Sequence, residues 1–208
     1  MFITTAEQPV DNPSNRPPFV RKTTTTAPAG TTPRILAIDP GTSLMGVAVL
    51  ERSELLYYGV KELKRMRPVS QLLKATREVV LDLIDRYQPT VLAYEETFYV
   101  QQASSVLLRA HEREIQSVGR WATLKIRAYS PLYIRQALCG DSYATKQMVA
   151  DVLVRNFPEL AKYRPAQSLR SERYWLNMFD AVAIGVVAAG EVERGSGSSG
   201  GAKSARAA

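Results

Sequence analysis

The chain has 208 residues, one cysteine, one histidine and a formal net charge of +7 at neutral pH. This length is typical of one domain of ordinary size. A single cysteine excludes an intramolecular disulfide and a cysteine zinc site, and a single histidine excludes a His-rich metal site. We therefore expect a protein of a reducing compartment, and the basic excess favours a polyanionic partner.

The two ends of the chain differ in composition from the middle. Residues 1–33 are rich in Thr and Pro, which predicts a disordered tail, although an organelle transit peptide has a similar composition. Residues 192–208 are rich in Gly and Ser, which predicts a flexible tail. The folded domain is expected over residues 34–191. Its apolar runs look too short for a bilayer span, so no membrane partner is expected.

Three strands are predicted at the start of this domain. They are apolar, β-branched runs separated by short turns: RILAID (34–39), MGVAVLER (45–52) and ELLYYGVKEL (54–63). Runs of this kind, joined this closely, predict an antiparallel meander.

Helices and strands then alternate. Residues 70–87 show the 3.6-residue spacing of an amphipathic helix, with Ser70 expected as its N-cap. Two more strands are predicted at 90–95 and 124–129. Four more helices are predicted at 103–122, 131–138, 145–156 and 177–190. This order indicates an α/β protein with a mixed five-stranded sheet and helices on both faces.

Acidic residues end two of the predicted strands. The first strand is apolar until Asp39, and the strand at 90–95 ends in Glu95, which Glu96 follows. A carboxylate at the end of a buried strand is costly to desolvate unless it is paired or binds a cation. If the two strands are neighbours, their acids converge at one edge. The alternation of side chains does not decide whether Glu95 or Glu96 shares a face with Asp39.

The last helix, WLNMFDAVAIGVVAAG, is apolar almost all round, which predicts a buried helix. Its one charge is Asp180, and Asn177 lies three residues earlier on the same face. Carboxylates from two strand ends and a helix suit one or two Mg²⁺ ions. Such ions stabilise the attacking and leaving oxygens of phosphodiester cleavage. The pattern therefore predicts a metal-dependent nuclease.

Four motifs occur in a fixed order along the chain: ILAIDPGTSLMGVAV (35–49), VLAYEETF (91–98), IRQALCGDSYATKQMV (134–149) and NMFDAVAIG (177–185). Together they resemble the RuvC family of Holliday-junction resolvases, within the RNase H-like superfamily. The resemblance implies an RNase H-like fold. It also implies a structure-selective endonuclease that resolves four-way junctions by paired nicks.

The resemblance also assigns roles to individual residues. It implies that Asp39, Glu95 and Asp180 hold catalytic Mg²⁺, for which Mn²⁺ can substitute, and it favours Glu95 over Glu96. DNA-contacting residues are implied at Arg135 and at Lys146, which could also assist catalysis, and an aromatic wedge at Phe98, with Tyr99 as its rival. The implied partners are branched DNA, a second copy of the chain and a branch-migration motor. A bacterial or phage-encoded cytoplasmic protein is expected, with organellar import as the alternative.

The chain departs from the family pattern at three places. Asn177 stands where the family carries Asp or His, so it is expected to be a weak ligand without charge. AHERE (110–114) replaces a Gly-Gln-Ala-Arg-Gly stretch in the helix that builds the family's dimer interface, and His111 in it is expected at the surface or an interface. In the loop before Lys146, where the family carries Gly-x-Gly, Ser142 replaces the second glycine.

Two other functions remain compatible with these residues. Asn177 could mark a weak or inactive relative that binds junctions without cutting them. The stretch Asp39-Pro40-Gly41-Thr42 is also similar to the first phosphate loop of actin-like ATPases and sugar kinases. Those proteins need a second similar domain, for which this chain has too few residues.

Overall fold

The structure, a computed structural model, describes residues 32–63, 68–96, 103–164 and 171–197. Within these ranges, five strands form a sheet in the order β3-β2-β1-β4-β5. The strands are β1 (Arg34–Asp39), β2 (Leu44–Glu51), β3 (Glu54–Glu62), β4 (Val91–Glu95) and β5 (Lys125–Tyr129). β1, β2 and β3 form an antiparallel meander, whereas β4 pairs parallel to β1 and β5 parallel to β4. The predicted mixed five-stranded sheet is confirmed.

Four helices begin and end within one residue of their predicted positions, whereas the last helix begins six residues before and ends seven residues after the predicted range 177–190. They are α1 (Val69–Tyr87), α2 (Ala103–Trp121), α3 (Pro131–Cys139), α4 (Lys146–Asn156) and α5 (Ser171–Gly197), with a 3₁₀ turn at Pro158–Tyr163. Ser70 was wrongly expected to cap α1, because the N-cap is Pro68 and makes no side-chain cap hydrogen bond. α5 runs to Gly197, so the flexible tail expected from residue 192 does not begin before this helix ends.

Strand alternation divides the interior into two apolar cores, one on each face of the sheet. Ile35 and Ala37 of β1 belong to the core that α3, α4 and α5 cover. Leu36 and Ile38 belong to the core that α1 and α2 cover. The two cores explain why β1 reads as a continuous apolar run, since a central strand is buried on both faces.

α5 is the longest helix of the described chain, with 27 residues. Its segment Tyr174–Gly195 is long and apolar enough to span a bilayer by length and composition. This differs from the sequence-based expectation that no run would qualify. The segment packs against β1, β2, β3 and β4, and its residues Phe179, Val182 and Ile184 are fully buried. α5 is therefore accounted for as the core helix of the domain.

Candidate active site

Asp39 and Glu95 end neighbouring parallel strands at the same edge of the sheet. The pairing of Ile35 with Val91 continues to Ile38 and Tyr94, so the next residues, Asp39 and Glu95, lie side by side. Both side chains lie on the face of the sheet that α5 covers. Asp39 follows Ala37 by two residues and Glu95 follows Ala93 by two residues, and both alanines belong to the core on that face. The structure thereby decides between the two glutamates: Glu95 lies on the face of Asp39, and Glu96 follows on the opposite one.

Asp180 reaches this edge because α5 crosses β2 at a glycine. A Cβ added to Gly46 would overlap the backbone oxygen of Asn177 and lie 3.2 Å from the Cβ of Asp39. Only glycine allows this close approach of helix and strand. It places Asn177 next to Asp39, and Asp180 follows one helical turn later. Asn177 and the three carboxylates that we predicted as ligands are therefore brought to one edge.

The three carboxylates act on one another electrostatically. Burial raises the pKa of Asp39 well above its ordinary value, and the charges of Asp180 and Glu95 raise it further. Burial also raises the pKa of Glu95 to about 7, with the charge of Asp180 as the next cause. Accumulated negative charge of this kind favours a cation at the site.

Lys146 provides one positive charge at this edge. It is the first residue of α4, which begins there because the Thr145 side chain caps the helix by accepting a hydrogen bond from the Met148 N–H. Lys146 Nζ donates a hydrogen bond to Oδ2 of Asp180. Burial lowers the pKa of Lys146, but the carboxylates of Asp180, Asp39 and Glu95 together outweigh this effect, so the pKa is raised. Its side chain is still 51% exposed, so it faces both the acids and solvent.

Arg135 of α3 lies on the Glu95 side of the site. Its positive charge lowers the pKa of Glu95, although burial and Asp180 raise it by more. The structure thus brings Arg135 and Lys146 to the same edge as the carboxylates. Phe98 and Tyr99, which we predicted as DNA-contacting aromatics, lie outside the described residues.

The donor set suits a hard divalent cation. Asp39, Glu95 and Asp180 offer carboxylate oxygens, the ligands that Mg²⁺ and Mn²⁺ take in proteins. Lys146 donates to only one oxygen of the Asp180 carboxylate, Oδ2. In the described ranges, no three Asp, Glu, His or Cys side chains already stand in a metal-binding arrangement. The chemistry and charge of the residues fit the ion, and a bound ion would have to draw the acids together.

Glu112 is a fourth acid near the site, which the sequence did not reveal. It lies on α2, is 2% exposed, and its charge contributes to raising the pKa of Glu95. One turn further along α2, Gln116 Nε2 donates to the hydroxyl of Tyr94 at 2.7 Å. That contact fixes α2 beside β4, so Glu112 lies level with the end of the strand.

His111 is buried, not at the surface of the chain as expected. It is 0% exposed, and neither ring nitrogen has a hydrogen-bond partner. The signal was present in the sequence, because His111, Ile115 and Val118 follow helical spacing and the last two are buried apolar residues. The charged neighbours Glu112 and Arg113 mask this pattern in the sequence.

A family model and curated relatives point to the same family. A family model described as crossover junction endodeoxyribonuclease RuvC matches residues 35–187. RuvC of Desulforamulus reducens is 32% identical over 135 residues, covering 62% of this chain and 83% of the relative. RuvC of Akkermansia muciniphila is 31% identical over 158 residues, covering 74% of this chain and 88% of the relative.

Two solved structures share the fold. Thermus thermophilus RuvC in complex with Holliday junction substrate matches with a TM-score of 0.66 and 24% identity, over 78% of this chain and 96% of that one. The yeast mitochondrial Holliday junction resolvase Ydc2 matches with a TM-score of 0.58 and 15% identity, over 78% and 81%. Both likenesses extend over most of the described chain.

Proposed function

Because the chain belongs to the RuvC family of crossover junction endodeoxyribonucleases, we propose that it resolves four-way Holliday junctions by paired, metal-dependent cleavage of two strands. The match confirms the resemblance that the four sequence motifs carried and the RNase H-like fold that it implied. The roles of individual residues remain predictions.

One observation carries the proposal for this chain: three acids and a lysine meet at one edge of the sheet. Asp39, Glu95 and Asp180 come from three separate elements and share one electrostatic environment. Folding alone gains nothing from concentrating buried negative charge, because desolvation and mutual repulsion both oppose it. A site that binds a cation and a phosphodiester accounts for the arrangement.

We assign Mg²⁺ as the ion that these carboxylates hold. When bound, it supplies Lewis-acid stabilisation of phosphoryl oxygens and a water of lowered pKa. The chain's own residues then have defined tasks. Asp39, Glu95 and Asp180 would hold the ion at the carboxyl ends of β1 and β4 and on α5. Lys146 orients Asp180 through its hydrogen bond and offers positive charge to a phosphate oxygen arriving from solvent.

The same edge supplies the charges that attract DNA. Arg135 and Lys146 are positive side chains beside the carboxylates, and each could neutralise a phosphate that flanks the cleaved bond. A single site cuts a single strand, so paired nicks need a second copy of the chain. We therefore propose a homodimer, and we retain a branch-migration motor as a partner by analogy with the family.

Cleavage of a synthetic junction tests this function directly. The native chain and Asp39→Asn are incubated with a labelled four-way junction and with a linear duplex of the same sequence, in Mg²⁺, in Mn²⁺ and in EDTA. We expect symmetric nicks only with the native chain, only on the junction, and only with a divalent ion. Equal cutting of both DNAs, or nicks that persist in Asp39→Asn, would overturn the proposal.

A second candidate is a junction-binding relative with little or no activity. The observation that favours it is the position of Asn177, which lies beside Asp39 but offers only a neutral amide oxygen. Asn177→Asp separates the two candidates. If the native chain binds junctions without cutting them and this variant restores cutting, the protein is a binder. If the native chain already cuts, the binding-only function is ruled out.

A further inference from the structure

Tyr143 is exposed at a position where an aromatic ring has no role in the core. With 85% of its surface exposed, it is more exposed than any other large apolar side chain in the described part of the chain. Single exposed apolar side chains are common and carry no meaning by themselves. The position of Tyr143, in the loop between α3 and α4, is what gives the ring significance.

This loop is held in place on both sides of Tyr143. The Tyr143 N–H donates to Oδ1 of Asp141 at 2.8 Å, and the Ala144 N–H donates to the backbone oxygen of Asp141 at 3.2 Å. Ala144 itself is buried. Gln136 Nε2 donates to the backbone oxygen of Gly140 at 3.0 Å at the start of the loop. The backbone therefore presents the ring to solvent from a fixed position, which lowers the entropy that binding would cost.

The loop leads directly into the proposed active site. Tyr143 stands three residues before Lys146, whose Nζ bonds Asp180. Three residues span at most about 11 Å of extended chain. That reach corresponds to about three nucleotides along a stacked strand. A phosphodiester bound beside Lys146 would therefore bring a base of the same strand within reach of the Tyr143 ring.

The chemistry around the ring favours a base over a phosphate. Asp141 is exposed next to Tyr143, and its negative charge disfavours a phosphate at this point of the loop. Aromatic side chains bind nucleic acid by stacking on bases that have left the helical stack. Bases of a continuous duplex are already stacked and are not available, whereas the crossover of a four-way junction offers bases that can unstack.

We propose that Tyr143 stacks on an unstacked base of the cleaved strand, within about three nucleotides of the scissile phosphate. It thereby contributes to the choice of branched over linear DNA. This inference rests on the proposed function, because it takes the DNA strand to pass beside Lys146. Tyr143 is then a substrate-binding residue that acts through its ring and not through charge.

Binding to a junction without a divalent ion tests the inference while preventing cleavage. Native chain, Tyr143→Ala and Tyr143→Phe are titrated in EDTA with a fluorescent four-way junction and with the matched linear duplex. Leu132→Ala is the control, since Leu132 is an exposed apolar residue at 50% on the neighbouring helix α3. The expected loss for Tyr143→Ala on the junction is about 5- to 150-fold in affinity. Tyr143→Phe, which keeps the ring, and Leu132→Ala should bind as the native chain does.

Salt dependence and base fluorescence separate stacking from a phosphate contact. The slope of log affinity against log salt should be unchanged in Tyr143→Ala, whereas Arg135→Ala should reduce it by about one phosphate contact. A 2-aminopurine placed within three nucleotides of the cut should change its fluorescence on binding the native chain, and this change should be absent with Tyr143→Ala.

The possible results distinguish this inference from the proposed function. If the native chain prefers the junction and cuts it, but Tyr143→Ala binds as tightly as the native chain, the inference is wrong and the function stands. An equal loss on linear duplex, or a smaller salt slope for Tyr143→Ala, also overturns it. If the native chain shows no preference for the junction, the proposed function fails, and the inference fails with it.

Discussion

The two faces of the sheet bury polar groups in different ways. On the face covered by α5, the core is apolar throughout and the charges Asp39, Glu95 and Asp180 lie together at one edge. On the face covered by α1 and α2, the polar residues His111 and Glu112 lie inside a helix–sheet interface. Glu112 adds to the field at Glu95, whereas His111 has no hydrogen-bond partner and no evident task.

This difference separates the acids that we propose as metal ligands from His111, for which we propose no role in cleavage. The charges of Asp39 and Glu95 at the α5 edge are unfavourable for folding, and a bound cation would explain their presence there. Their removal should stabilise the metal-free protein and abolish cleavage, as expected where stability and activity conflict. His111 should affect stability alone.

Glu95→Gln should have the largest effect. Cleavage of the junction should fall about 1,000-fold or more, since a lost metal ligand removes several kcal/mol of transition-state stabilisation. Metal-free stability should instead rise at pH 8. The pKa of Glu95 is raised from 4.5 to about 7 in the folded state, so its ionisation favours unfolding as the pH rises through this range. Removing the charge should add about 1–3 kcal/mol.

Urea denaturation in EDTA, together with the junction assay, measures both effects. Glu96→Gln is the matched control, since Glu96 is the next residue and lies on the other side of the strand. It should leave both quantities nearly unchanged. A Glu95→Gln protein that cuts normally, or that is less stable than the native chain at pH 8 without metal, would contradict the contrast between the faces.

Gly46→Ala should damage the site through the backbone. Its Cβ would overlap the backbone oxygen of Asn177, so α5 must shift away from β2 and carry Asp180 with it. Overpacking of this kind costs about 1–3 kcal/mol. Cleavage should fall more than stability explains, because active sites tolerate misplacement of about 1 Å poorly. Thermal melting and the junction assay measure the two effects.

Gly190→Ala is the control for that substitution. Gly190 lies on the same helix, and a Cβ there would meet no atom within 4 Å. Alanine in a helix interior is favoured over glycine by about 0.5–1 kcal/mol. Gly190→Ala should therefore be as stable as the native chain or slightly more stable, with normal cleavage. Equal losses in both variants would show that the close approach at Gly46 does not position the site.

The strands could be predicted from the sequence to within about one residue, because apolar runs end where burial ends. The face shared by Asp39 and Glu95 could not be predicted. It depends on β4 entering the sheet beside β1, and this pairing joins residues more than fifty positions apart. The bond from Lys146 to Asp180 depends likewise on how α4 and α5 pack. The exposed position of Tyr143 could not be predicted from the sequence, since exposure is a property of the folded loop.

His111 gives the smallest effect and tests the other face of the sheet. Burial lowers the pKa of His111 from 6.5 to about 4 in the folded state. Between these pH values the unfolded chain binds a proton that the folded chain excludes, so stability falls as the pH falls from about 6.5 towards 4. At pH 5 the loss in the free energy of unfolding is about 2 kcal/mol relative to pH 7.5.

His111→Gln should abolish this part of the pH dependence, because glutamine does not titrate. Urea denaturation at pH 7.5 and at pH 5 measures it. Junction cleavage at pH 7.5 should be normal if the variant remains folded, since His111 is not among the residues that we place at the site. A native chain whose stability difference between the two pH values matches that of His111→Gln would show that the buried histidine is already protonated or solvated in the folded protein.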